Sequence, residues 1–265
     1  MAGPLTTTTG AALAAGFRLA AGLRRGRPLH PHGLLFDAEL HLHGDAARTW
    51  GSPFLDERLE LRGIARLSRS AGLPPPLPDI LGIALRWRQA DADAELLLAT
   101  TGHTTPGRRL LRPATRWAPG LYSSLFPYET RGAGDGGGRR VLLGALPRVE
   151  RPLPARFDAL AAAVAKEPLV LDLLVAAPAG PWHLFGLVKL VPPAMADADV
   201  PTRFDPTRHP VPGLSPAGRL QELRRPAYTA AQQVPDASAH EGRGGGNSGG
   251  SEMRAAGSAL FTPEA

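Results

Sequence analysis

Apolar and polar positions alternate along residues 33–43, where Phe36, Ala38, Leu40 and Leu42 stand against Leu35, Asp37, Glu39 and His41. A period of two marks a strand with one buried face. Residues 60–68 invite the same reading around Leu61, Ile64 and Leu67, and further strands are predicted over 80–87, 94–100 and 139–146, the last after a glycine-rich turn at 132–138. Residues 157–165 have a helical pattern. Two Leu- and Val-rich runs follow, 169–177 and 183–191, separated by Pro178-Ala179-Gly180-Pro181, which is a hairpin signal.

The connecting segments are equally legible. Residues 11–23 form an alanine-rich surface helix closed by Arg24 and Arg25 and broken at Gly26-Arg27-Pro28. Four prolines between residues 71 and 79 require a rigid extended loop. Residues 205–218 read as a proline-rich crossover and 219–233 as a helix, after which the composition falls to Gly, Ser, Ala and charge and predicts a disordered tail. The chain divides accordingly into a lead-in at 1–25, one domain at 26–233 and a tail at 234–265. Many strands joined by turns, with few helices until the end, point to an α+β chain built on an antiparallel barrel or a strongly curved sheet.

Composition removes several function classes. The 265 residues include no cysteine, which excludes disulfides, thiolate-bound zinc, iron–sulfur clusters and cysteine nucleophiles, and fits a cytoplasmic setting. A net charge of +6 comes almost wholly from arginine, with lysine only at Lys166 and Lys189. The arginines are scattered singly, without the basic stripe or interleaved aromatics of a nucleic-acid groove. No segment approaches the roughly twenty apolar residues of a membrane span. A Gly-x-Ser-x-Gly elbow, a phosphate loop and a dinucleotide fingerprint are all missing.

The order of motifs resembles that of the haem catalases and their short, single-domain relatives. Arg27-Pro28-Leu29-His30-Pro31-His32-Gly33 is similar to their R-x-x-H-x-x-G segment, and Arg66-Leu67-Ser68 to their arginine-x-serine strand. Asp79-Ile80-Leu81-Gly82-Ile83-Ala84-Leu85-Arg86 resembles D-x-x-G-x-A-x-[RK], and the run from Glu95 to Thr101 occupies the place of the acidic-Leu-apolar strand that ends in asparagine. The segment from Tyr122 to Tyr128, Arg203-Phe204-Asp205-Pro206 and the run from Leu220 to Tyr228 complete the resemblance, which covers roughly residues 25–232.

The resemblance implies an antiparallel barrel with helices packed around it, binding haem b and acting on peroxide with a reductant of unspecified kind. It makes His30 the acid/base and Ser68 the residue that holds its ring. It assigns Arg27 and Arg66 to haem propionates, where forked guanidinium donors match carboxylate geometry. Tyr228 becomes the iron ligand, its phenolate favoured by Arg224 one helical turn earlier; a packed amphipathic tyrosine is the ordinary alternative. The distal asparagine is replaced by threonine. Thr101 is then the available hydroxyl, which implies peroxidase-like turnover in place of efficient dismutation, and Pro226 lies two residues before the tyrosine.

Two rival readings stand beside this one. His30, His32, His41, His43 and Asp45 crowd into a short stretch, and His-x-His pairs on strands share a sheet face, as in metal-dependent hydrolases such as phosphodiesterases. His41 and His43 also suit a solvated strand end. His103, His183 and His209 have no sequence companions and read as structural. The other rival is a catalase-like scaffold without haem that serves as a binding protein.

Overall fold

The computed structural model describes residues 32–70, 72–89, 91–132, 138–194 and 204–217. The helices expected over 11–23 and 219–233, and the tail expected after 234, lie outside the described residues.

Each long alternating run forms a strand. β1 (His32–Leu42) pairs antiparallel with β2 (Leu59–Arg69), which pairs with β3 (Leu81–Gln89) and then β4 (Ala92–Thr100). The chain then makes the short strands β5 (Arg116–Ala118), β6 (Tyr122–Ser123) and β7 (Tyr128–Thr130) before the long β8 (Arg140–Arg148). After β9 (Leu153–Pro154) comes a helix, Phe157–Lys166, and then the hairpin of β10 (Leu169–Ala176) and β11 (His183–Val191). β12 (Leu214–Pro216) pairs with β7 inside what the sequence presents as a crossover.

Eight strands close in the order β10-β11-β1-β2-β3-β4-β6-β8, because β8 also pairs with β10. Closure leaves this ring no free edge. The inward positions fill the lumen: Phe36, Ala38, Leu40, Ala65, Leu67, Ile83, Leu85, Leu96, Leu98, Leu143, Ala145, Leu171, Leu173, Val188 and Leu190 are all at most 4% exposed. Such a lumen is a packed core.

Two helices add to that core. The one-turn helix α1 (Pro53–Asp56) inserts Phe54, whose ring stacks on Trp87 at 5.0 Å and meets Phe185 edge-on at 5.6 Å. The Asp56 carboxylate accepts hydrogen bonds from the backbone N–H groups of Trp50 (2.7 Å), Gly51 (2.7 Å) and Ser52 (2.9 Å), which fixes the turn leading into α1. The longer helix α2 (Phe157–Lys166) buries Leu160 and Val164, one turn apart on a single face.

Polar groups anchor the outer segments. Arg69, 3% exposed, donates to the carbonyl oxygens of Leu77 (3.0 Å) and Ala155 and lies 3.7 Å from Asp79. It therefore ties β2 to the proline loop and to the segment before α2. Among the described residues no helix is long and apolar enough to cross a membrane.

Candidate functional site

Arg66 and Ser68 sit two apart on β2, so both point away from the lumen that Ala65 and Leu67 line. Antiparallel register decides what stands beside them. Ser68 is opposite Gly33 on one side and Gly82 on the other; Gly82 is opposite Ala99, Ala99 opposite Ser123, and Ser123 opposite Gly144. The outer face thus carries a row of the smallest side chains across six strands. At strand spacing the stretch from Gly33 to Ala99 is about 14 Å wide.

The next row along the strands is Leu35, Arg66, Ala84 and Leu97, all half-buried. Beyond it the face turns charged, with Asp37, Arg86 and Glu95, then Glu39, Arg62, Arg88 and Asp93. Minimal side chains, apolar ones and one arginine therefore lie between the strand ends and a charged region.

Gly33 has a steric reason to be glycine. A Cβ there would stand 2.8–2.9 Å from the guanidinium of Arg66, which lies across the glycine. Burial lowers the Arg66 pKa from its ordinary value. The arginine is held against the row of small residues, its guanidinium lying across Gly33.

Thr101 follows Ala99 by two, so alternation carries it to the same side at the end of the row. It bridges to Leu111, is 3% exposed, and its Oγ1 has no hydrogen-bond partner among the described residues. Thr100 takes a different role, since its hydroxyl accepts the Leu81 N–H at 3.1 Å. Arg66, Ser68 and Thr101 are thus brought to one face, while Arg27, His30, Arg224 and Tyr228 lie outside the described residues.

The motif from Asp79 to Arg86 and the Arg-Phe-Asp-Pro segment prove to be joined. Arg86 and Glu95 are cross-strand partners, with Nε and an NH2 nitrogen each 2.7 Å from the carboxylate. Glu95 is fully buried, accepts the Asp205 backbone N–H, and its own N–H donates to the His209 carbonyl at 2.8 Å. The Phe204 ring lies under the Arg86 guanidinium at 4.7 Å. Burial raises the Glu95 pKa, against the opposing pull of Arg86. These residues clamp the 204–217 segment to the barrel.

The histidines scatter. His41 faces Glu39 and Glu60 at 3.9 and 4.0 Å, whereas exposed His43 has its Nδ1 2.6 Å from the Gly44 carbonyl oxygen. The His32 side chain and all of His30 lie outside the description. Among the described residues no three His, Asp or Glu side chains gather as a metal site. His183, without companions in the sequence, has two in space: its Nδ1 is 3.1 Å from Asp45, and the Trp50 ring meets it edge-on at 5.5 Å. The Trp50 indole N–H also donates to Asp45 at 3.0 Å. No sequence signal could have joined residues so far apart, and His103 likewise acquires a setting only from the cleft described below.

No family model and no curated protein matches this chain. Solved structures do. A fungal catalase superposes with a TM-score of 0.59 at 13% identity over 82% of this chain and 61% of its own. A bacterial catalase gives 0.55 at 15% identity over 85% of this chain and 61% of its own. The fold is catalase-like. This catalase-like chain spans about three fifths of the length of the catalases it matches. At these identities the likeness speaks for the fold, and the chemistry must be argued from the residues.

Proposed function

We propose that the chain is a haem-binding, catalase-related oxidoreductase that turns over peroxide with an external reductant. The observation that carries this reading is the outer row of Gly33, Ser68, Gly82 and Ala99 beside half-buried Arg66. A flat apolar ring system with an anionic edge fits such a floor: the small residues admit it closely, and the arginine meets the edge.

Haem b bound there would supply iron redox chemistry for reducing peroxide. Tyr228, with Arg224 favouring its phenolate, would hold the iron, and Arg66 and Arg27 the propionates. Gly33 is directly opposite Ser68, and in this reading the Ser68 hydroxyl would hold the ring of His30. Fixed by that hydroxyl, His30 takes a proton from one peroxide oxygen and returns it to the leaving one.

Thr101 is the remaining group for orienting peroxide, since Thr100 is occupied by the Leu81 amide. One short hydroxyl offers less reach than a side-chain amide, which favours peroxidase-like turnover over rapid dismutation. The test is an absorption spectrum of the chain expressed with haem supply. A Soret band that shifts or vanishes in Tyr228→Phe and weakens in Arg66→Ala supports the reading. A colourless, iron-free protein overturns it.

A further inference from the structure

At the end of the row of small residues, the segment after β4 folds back on the end of that strand, where the Arg112 N–H meets the Thr100 carbonyl, and leaves a cleft of about 270 Å³. Thr101, His103, Arg112, Thr115 and Arg116 line it with small and apolar neighbours, and among the described residues none that lines it is acidic. The Arg112 and Arg116 side chains are exposed. Arg112 lies in the loop after β4 and Arg116 opens β5, and both border the same concavity.

A second observation points the same way. Thr101 lines this cleft at 3% exposure, with its Oγ1 unpartnered among the described residues. A buried hydroxyl without a partner is costly to leave unsatisfied, and an acceptor atom of a ligand would satisfy it. The loop is held in place independently of any ligand: the Arg112 N–H donates to the Thr100 carbonyl at 2.9 Å, and Asp79 and Ala114 exchange backbone hydrogen bonds at 3.0 and 2.8 Å. The guanidinium groups are therefore carried on a fixed frame, while their ends stay available.

We infer that this cleft is a binding site for the oxyanion group, phosphate or carboxylate, of a small molecule, with Arg112 and Arg116 pairing its charge and Thr101 receiving one oxygen at the floor. Forked guanidinium donors suit either group, and the volume admits a ligand smaller than a drug-sized molecule. The inference does not need haem, because none of these side chains except Thr101 enters the proposed redox site.

The test is calorimetric titration of the full chain with inorganic phosphate, with malonate and with chloride at matched ionic strength, on haem-free and haem-supplied protein. Saturable binding of phosphate, malonate or both, with none for chloride, is expected, and the preferred anion tells which group the natural ligand carries. Arg112→Ala and Arg116→Ala should each weaken it roughly ten-fold or more. Thr101→Val, nearly isosteric, should weaken it by a smaller factor while leaving the unfolding temperature close to that of the parent. Binding that chloride abolishes equally well, or that survives the Arg112→Ala/Arg116→Ala double variant, overturns the site, as does absence of binding to both oxyanions. Oxyanion binding by a colourless chain would leave this site standing and remove only the haem reading.

Discussion

The two faces of β2 are one residue out of phase and chemically opposite. Inward, Ala65 and Leu67 are at most 1% exposed among leucine, isoleucine and phenylalanine. Outward, Arg66 and Ser68 lie among glycine and alanine of the neighbouring strands. An ordinary outer sheet face carries long polar side chains facing water. Here the outer face is kept low along one row and becomes charged only farther along the strands. Because the lumen is filled, the core's stability resides inside the barrel, and the proposed ligand would have to sit outside it.

That contrast can be broken from the inside first. Leu171→Ala, at a fully buried lumen position, should cost about 2–5 kcal/mol in denaturant unfolding, with the row outside unaffected. Arg86→Ala should cost about 3 kcal/mol, because it strands buried Glu95 and loosens the 204–217 clamp, the loss being tempered as Glu95 takes up a proton. Differential unfolding of the two variants separates core from clamp.

On the outer face, Gly33→Leu should cost only about 1 kcal/mol, since the Arg66 side chain can yield. It should nevertheless reduce haem uptake at least about ten-fold, read from the Soret band, because it fills the floor and displaces the arginine. Equal loss of stability and pigment would erase the distinction between the faces.

The smallest effect is a pH slope at Glu95. Its folded pKa is raised, so the native state keeps a proton that the unfolded chain releases above about 4.5. Its contribution is fullest below that value and declines as pH climbs through the raised pKa. Relative to Glu95→Gln, the parent chain should lose stability as pH rises from about 4.5 through the raised pKa; a gain would reverse the assigned shift.

Much of this was legible in the chain. Alternation located β1 and β2, while turn signals and Leu- and Val-rich runs located β3, β4, β8, β10 and β11, all to within a few residues, and 157–165 announced α2, because long elements carry enough local pattern to be read. β5, β6, β7, β9 and β12 are two or three residues long and carry no period. α1 is a single turn. Within the site, the Arg66-Leu67-Ser68 spacing already put both polar residues on one face. Asp45 and His183 meet through the pairing of β1 with β11, and Thr101 gains its cleft from a loop that folds back; neither leaves a trace in local sequence.

The sequence by itself determined which side of each long strand is apolar and which carries chemistry, since side-chain direction alternates along any extended backbone. Only the tertiary structure decided that β8 returns to β10 and closes the ring, and that Gly33, Ser68, Gly82 and Ala99 align into one floor. The physical reason is register. A slip of one residue between two strands would turn the whole row to the other face, and register is fixed by packing in the shared lumen, which no single segment contains.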